Sequence, residues 1–471
     1  MAILTLLISS VVAFKDGIKI DEVLALRYCL VDSWLPPEQQ PFIFMLFKFW
    51  SKVFGTSLLA LRSLTILFFI PTVLCFYSFS RKFFNINIAI VSSTLLILNA
   101  FILNHSIYIH AYTIFLLLSI LSFIFFYRAT TQINSKKNFW LLYLVSLIAI
   151  FFHHFFYLII GAQALALFFL FKRKTLRFLP LLPPFGVHLF FFAMVGFNFR
   201  HELFLDISIV NFPIKTLWIH ALGFINWNGI LEENNFLFII IFFTQSLSYL
   251  VSLFYLFFLK KKNVFDSMSI ILILASFFSV LFFRYYLKLD EIVVRYYIFL
   301  FPILIIYQIQ ACVHFFKNHK NYALFILIAL QTIGCVNFLS HFNLYSDNKP
   351  VIEKFISFSH EVHLNHNTPL ISNNDLYLRR NLIPVIVQKF PMKFSTIQND
   401  SPDIRTPDTI ELLDRAMTNK KDFVLILFNK RLSEIKNLPE GFNKKIQLKD
   451  SINCLECDPD FKKIEFYLIS N

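Results

Sequence analysis

The stretch SLLALRSLTILFFIPTVLCFYSFS, residues 57–80, runs straight into Arg81-Lys82 and decides the fold class. As a helix it reaches about 36 Å at 1.5 Å per residue. That is enough to cross a hydrocarbon core of about 30 Å. Its only charge, Arg62, lies near the start. Similar stretches recur along the chain at 1–14, 88–104, 107–127, 139–153, 155–171, 178–197, 236–259, 267–287, 295–316 and 322–340. The reading is therefore an all-α polytopic membrane protein of about 11 transmembrane helices.

Composition excludes the alternatives. The 471 residues are 57% hydrophobic and only 15% charged, against about 25% charged in soluble domains. Disorder, a secreted disulfide scaffold and an ordinary cytosolic enzyme are all ruled out. The formal net charge is +14, and 13 of those charges fall before residue 347. They sit in short loops between apolar stretches and not on a soluble surface, so they report topology and no nucleic-acid partner. Arg81-Lys82, Arg128 with Lys136-Lys137, Lys172-Arg173-Lys174 with Arg177, Lys260-Lys261-Lys262, and Lys317 with Lys320 occupy alternate loops. The positive-inside rule makes those loops cytoplasmic. Residues 15–56, the turns near His105, His153-His154 and Asp290, the loop 198–235 and the tail then face outward. Of the 12 carboxylates before residue 347, only Asp266 falls on the inner side. The first stretch is short for a span. It either continues towards Ile20, with Lys15 and Asp16 snorkelling, or its true start lies upstream. It lacks the basic n-region and small-residue cleavage site of a signal peptide.

Residues 1–340 thus read as a transmembrane domain and 341–471 as a small C-terminal extracytoplasmic α/β domain. In the latter, apolar runs at Thr368–Ser372, Phe423–Phe428 and Ile464–Ile469 alternate with a helical pattern at Thr409–Met417. Its Cys454 and Cys457 form a lone CxxC, weak as a zinc signal and compatible with a local disulfide. The other cysteines (Cys29, Cys75, Cys312, Cys335) read as small apolar residues. The 63 phenylalanines read as genome composition and not as a binding device.

The chemistry gathers at the outer ends of the helices. Asp21-Glu22 follows the first span, and Pro41–Phe54 reads as an amphipathic helix in the interface plane. Lys48, Ser51 and Lys52 share one of its faces, and a bland anchoring helix is its ordinary reading. Arg62, Arg284 and Arg295 sit near span ends, where snorkelling to lipid phosphate is the ordinary explanation. A carboxylate pair ringed by cations at headgroup depth suits transfer of a sugar from a polyprenyl phosphate. The phosphate leaving group is a weak base that needs cations and no general acid, and one carboxylate deprotonates the acceptor hydroxyl.

Asp21-Glu22, Gln40-Pro41-Phe42-Ile43-Phe44, Phe54-Gly55-Thr56-Ser57 and Leu61-Arg62-Ser63-Leu64 together resemble the GT-C glycosyltransferases. Within that fold they are most similar to the dolichyl-phosphate-mannose protein mannosyltransferase-like family, which includes the lipid A aminoarabinose transferases. The resemblance continues through Tyr77, Arg81, the Ser106…Tyr112 turn, His153-His154 and Arg295-Tyr296…Pro302. It implies a GT-C bundle with Asp21 as catalytic base and Glu22 as its companion. It also implies donor-phosphate binding by Arg62, Arg295 and Tyr296, with Lys48 as a looser carry-over. One departure stands out. Where relatives carry an acidic residue and an arginine in the second outer loop, this chain has Tyr108 and His110 before Tyr112, a candidate second-loop site without a second carboxylate.

No cofactor is assigned from the sequence. A divalent metal is considered because Asp21 and the outer histidines (His105, His110, His153, His154, His201, His220) are suitable donors. No HxxxH or HxH spacing supports it, so interfacial histidines bonded to backbone or water are the plainer reading. The implied partners are a polyprenyl-phosphate sugar, an acceptor protein, lipid or glycan, and the bilayer of a bacterial-type inner (plasma) membrane. The rival readings are a polysaccharide polymerase or ligase, a transporter-like protein, and a catalytically degenerate protein that only binds lipid-linked sugar. With 9 glycines, the broken helices of a transporter are scarce.

Overall fold

The computed structural model describes residues 2–13, 29, 41–132, 136–171, 236–281, 297–341, 370–372, 423–428, 446–453 and 463–469. Among these the helices are α1 (Ala2–Ala13), α2 (Pro41–Phe54), α3 (Leu58–Ser80), α4 (Ile86–Leu98), α5 (Ala100–Ile107) and α6 (Tyr112–Thr131). They continue as α7 (Lys136–Phe152), α8 (Phe156–Phe171), α9 (Phe236–Phe254), α10 (Val264–Leu281), α11 (Leu300–Phe315) and α12 (Lys320–His341). α9 ends in a π-helical turn, Tyr255–Leu259. Each apolar stretch read from the sequence carries a helix, except 178–197, which lies outside the described residues.

Among the described residues two single helices are long and apolar enough to cross a membrane, Leu59–Ser80 and Tyr112–Thr131. One further helix pair is as apolar but sharply bent, the geometry of a broken span or of a re-entrant loop. The stretch 88–104 is not one helix: α4 and α5 meet at a 62° bend. The cause is Asn99, whose side chain accepts from the Ile102 amide at 3.0 Å and so starts a new helix inside the apolar run. The following helix accordingly begins at Tyr112 and not near residue 107.

The packing is that of a protein solvated by lipid. Large apolar side chains face outward (Ile3, Phe49, Trp140, Phe169, Phe258, Phe278, Phe325), while Thr72, Ser92, Ser93, Gln163, Gln308 and Asp266 are buried. Polar groups inside then join helices to one another. The Gln163 amide donates to Ser122 Oγ at 2.8 Å, tying α8 to α6. Phe265 of α10 packs among Phe79, Phe83, Phe123 and Tyr127, with ring centroids 5.3–6.3 Å away, so part of the phenylalanine content forms the core joining α3, α6 and α10.

One ion pair anchors the end of the bundle that carries the basic loops. The Lys260 ammonium donates to Asp266 Oδ1 and to Gln310 Oε1, both at 2.7 Å. The Tyr307 hydroxyl donates to the same Asp266 oxygen at 2.7 Å. Asp266 and Asn263 bond reciprocally, each side chain accepting from the other's backbone amide, which caps α10.

A four-stranded sheet, order β1-β2-β4-β3, comprises β1 (Leu370–Ser372), β2 (Phe423–Phe428), β3 (Ile446–Asn453) and β4 (Lys463–Ile469). β1 and β2 are parallel, and the remaining pairs are antiparallel. β3 is not among the strands expected from sequence. Its Ile446, Leu448 and Ile452 alternate with polar residues, too thin an apolar pattern to single out, and it forms an edge. The helical pattern at Thr409–Met417 and the CxxC lie outside the described residues.

Because Asp266 is fully buried, Asp266→Ala is expected to cost about 3 kcal/mol by stranding the Lys260 charge. The apparent melting temperature in detergent should fall, and Asp266→Ala combined with Lys260→Met should recover much of the loss. A single variant as stable as wild type would contradict this role for the pair.

Candidate functional site

The opposite end of the bundle is built around the α2–α3 corner. α2 stops because Gly55 takes φ +88°, a conformation costly for any side chain, and its amide donates back to the Ser51 carbonyl at 2.8 Å. Ser57 then caps α3, accepting from the Ala60 amide at 3.2 Å. The Trp50 indole N–H donates to the Ala60 carbonyl at 2.8 Å and lies 3.2 Å from Ser63 Oγ, latching α2 to the first turns of α3. At its other end α2 sets Phe42 against Phe151, ring centroids 5.0 Å apart, beside the α7–α8 turn.

This seating changes what α2 presents. Ile43, Phe44, Phe47, Lys48 and Ser51 form the buried face, while Phe42, Phe49, Val53 and Phe54 are exposed. Lys48 therefore points with the apolar residues into the bundle, and Lys52, expected on its face, is exposed. Lys48 and Arg62 are each only 2% exposed. Neither behaves as a snorkelling end-of-span cation. Burying an ammonium and a guanidinium is costly, and such positions tend to mark function.

The α5–α6 turn lies beside Arg62. Thr65 Oγ1 donates to the Arg62 carbonyl at 2.7 Å and lies 3.3 Å from the Ile107 carbonyl. Thr113 Oγ1 closes the turn onto the Ser106 carbonyl at 2.8 Å. Within it the His110 ring stacks on Tyr112 at 4.4 Å, and Tyr108 and Tyr112 are edge-to-face at 6.4 Å. His105 Nδ1 bonds the Phe101 carbonyl at 2.8 Å, a helix-internal contact. His153 of the α7–α8 turn stacks on Phe115 at 4.2 Å and lies 6.0 Å from Tyr112. The structure thus brings Tyr108, His110, Tyr112 and His153 together at the end where Lys48 and Arg62 are buried.

Asp21, Glu22, Arg295, Tyr296, Arg284, His201 and His220 lie outside the described residues. Tyr297, which follows the Arg295-Tyr296 pair, packs on Phe155 of the α7–α8 turn at 5.2 Å and shares a 2.8 Å hydrogen bond with Ser279. Among the described residues no group of three or more His, Cys, Asp or Glu side chains is arranged to hold a metal ion.

Two contributors escaped the sequence reading. Asn99 turns the α4–α5 break towards this end, and a helix-capping residue inside an apolar run was its available signal. Cys29 rests against α2. Burial pushes its thiol up from the ordinary range, while a hydrogen bond with Ser51 and the Lys48 charge pull it partly back. No sequence pattern marks that contact.

The sequence matches no protein-family profile and no curated protein. Its fold, however, matches solved structures over nearly its whole length. ArnT from Cupriavidus metallidurans bound to undecaprenyl phosphate superposes with a TM-score of 0.62 at 11% identity, covering 99% of this chain and 97% of that one. The apo form of that protein gives 0.60 at 10% identity over the same spans. The archaeal oligosaccharyltransferase AglB from Archaeoglobus fulgidus, in complex with an inhibitory peptide and a dolichol-phosphate, gives 0.52 at 12% identity, covering 91% and 69%. The chain has the fold of the GT-C glycosyltransferases.

The Cys29 contacts predict a pH response. A raised pKa leaves less thiolate at a given pH, so in a variant keeping only Cys29, alkylation should stay slow at neutral pH and climb in the alkaline range. Lys48→Met removes a charge that favours the thiolate and should slow alkylation further. Faster labelling in Lys48→Met would contradict the placement of Cys29 against Lys48.

Proposed function

We propose that this chain is an integral membrane glycosyltransferase that moves a sugar from a polyprenyl-phosphate donor to a hydroxyl of a protein, lipid or glycan acceptor. The observation that carries the reading is the pair of buried cations, Lys48 and Arg62, at one end of a bundle whose fold is shared with ArnT, a protein solved with undecaprenyl phosphate bound. By the charge pattern of the loops that end is extracytoplasmic. The proposed location is a bacterial-type inner (plasma) membrane, with residues 1–340 as the membrane domain. Residues 341–471, which contain the four-stranded sheet, are the extracytoplasmic C-terminal domain.

In this reading the acceptor oxygen attacks the anomeric carbon in line with the phosphate, and its proton passes to the Asp21 carboxylate. The bond from the anomeric carbon to the phosphate oxygen breaks, and its electron pair leaves with the polyprenyl phosphate, so the configuration inverts. Charge builds on the departing phosphate. Arg62, Lys48 and Arg295 stabilise it, Tyr296 contributes a hydrogen bond, and Glu22 accompanies the base. A buried cation suits this role because low dielectric strengthens its attraction for charge that develops only in the transition state. A hydroxyl acceptor with a phosphate leaving group needs no metal for these proton and charge transfers.

The turn of Tyr108, His110 and Tyr112 supports a second reading, in which the chain binds lipid-linked sugar without turnover. Two aromatic or imidazole side chains stand there in place of a charged pair, and His110, stacked on the buried Tyr112, keeps a partly exposed ring to meet a sugar face.

Membrane vesicles of both orientations, supplied with a panel of polyprenyl-phosphate sugars, test these readings. Wild type should transfer one sugar, Asp21→Asn should lose at least about 10³-fold in turnover at unchanged membrane level, and Arg62→Met about 10²-fold. Undiminished transfer by Asp21→Asn would refute the base assignment. A wild type that binds one donor yet transfers none would favour the binding reading.

A further inference from the structure

A groove of about 960 Å³ lies between α9, α11 and α12, at the bundle end opposite the buried cations. It is at the upper edge of the roughly 300–1,000 Å³ of small-molecule sites. Leu247, Val251, Phe315, Phe316, Tyr322 and Leu327 make its walls. Its few polar members do not call for a polar ligand, since Gln308 and Ser248 bond to each other.

Three features identify the occupant. The first is depth. The groove climbs α12 from His319 to Leu330, about 16 Å of helix, or roughly half a bilayer core of about 30 Å. It therefore spans one leaflet. The second is access: Leu247, Leu250, Phe254, Tyr322 and Ile326 are exposed along it, so it opens sideways to lipid. The third is charge. Lys317, His319 and Lys320 are exposed at its mouth, and α9, α11 and α12 contain no Asp or Glu.

We propose that this groove seats an acyl chain of an anionic glycerophospholipid from the leaflet at the basic end, with its headgroup phosphate held by Lys317 and Lys320. An unfilled apolar crevice in a bilayer forfeits dispersion contacts along its whole lining, and an acyl chain restores them. The two ammonium groups supply the preference for a net-negative headgroup. The site is separate from the Lys48–Arg62 end and does not depend on sugar transfer.

The test reconstitutes the full chain into nanodiscs of phosphatidylcholine with a small fraction of phosphatidylglycerol. The lipid retained after detergent extraction is then identified by native mass spectrometry. Wild type should retain one phospholipid, with phosphatidylglycerol enriched about tenfold over its bulk fraction. Lys317→Gln with Lys320→Gln, both at exposed positions, should keep a lipid and lose the enrichment. Ala323→Trp should fill the groove and abolish retention, with Leu247→Gln as a second groove variant should the first not fold. The proposal is overturned by a wild type that retains no lipid, by retention at bulk composition, by enrichment that survives the lysine substitutions, or by groove variants that retain lipid as wild type does.

Discussion

Two positive charges removed from water, on Lys48 and Arg62, set the constraint that the rest of this structure answers to. A bundle of apolar helices gains little by burying an ammonium and a guanidinium, and desolvation costs several kcal/mol for each. Such groups persist where the surrounding elements hold them fixed. Trp50 clamps α2 to α3, Gly55 permits the sharp corner between them, and Thr65 links the first turns of α3 to the end of α5. Trp50 and Thr65 each lie within three residues of one of the two cations, and Gly55 lies midway between them in the chain. The same neighbourhood receives the α5–α6 turn, delivered there by the break at Asn99.

The two ends of the bundle solve different problems. At the basic end, Asp266, Lys260, Tyr307 and Gln310 satisfy one another, so the charges there serve cohesion. At the other end the buried cations are combined with aromatic and imidazole rings. Polar side chains such as Gln163 and Ser122 join the helices between the ends, as lipid-solvated helices require.

The sequence made the membrane class and the helix positions plain, because runs of apolar residues long enough to span leave no soluble alternative. It also made the segregation of Arg81, Lys82 and Lys260–Lys262 from the acidic loops plain. What it hid depends on tertiary placement. Periodicity put Lys48 and Lys52 on one face of α2, but only the seating of α2 against α3 decides that Lys48 is buried and Lys52 is not. Arg62 read as an end-of-span residue because depth along a helix says nothing about which side faces its neighbours. The bend at Asn99 was masked by the apolar run around it. β3 was masked by an alternation with only three apolar members. Asp21 and Glu22 rest on family resemblance and lie outside the described residues, while the burial of Lys48 and Arg62 is a tertiary fact that no sequence pattern carried.

The proposed role of the buried Lys48–Arg62 end is to recognise a lipid phosphate. Its most direct test is equilibrium binding of a short-chain polyprenyl phosphate and of the matching polyprenol to the purified protein in detergent. The phosphate should bind at least about tenfold tighter, as a charge-assisted contact provides, and Lys48→Met with Arg62→Met should abolish the difference while polyprenol binding stays. Equal affinity for phosphate and alcohol in the wild type would contradict it.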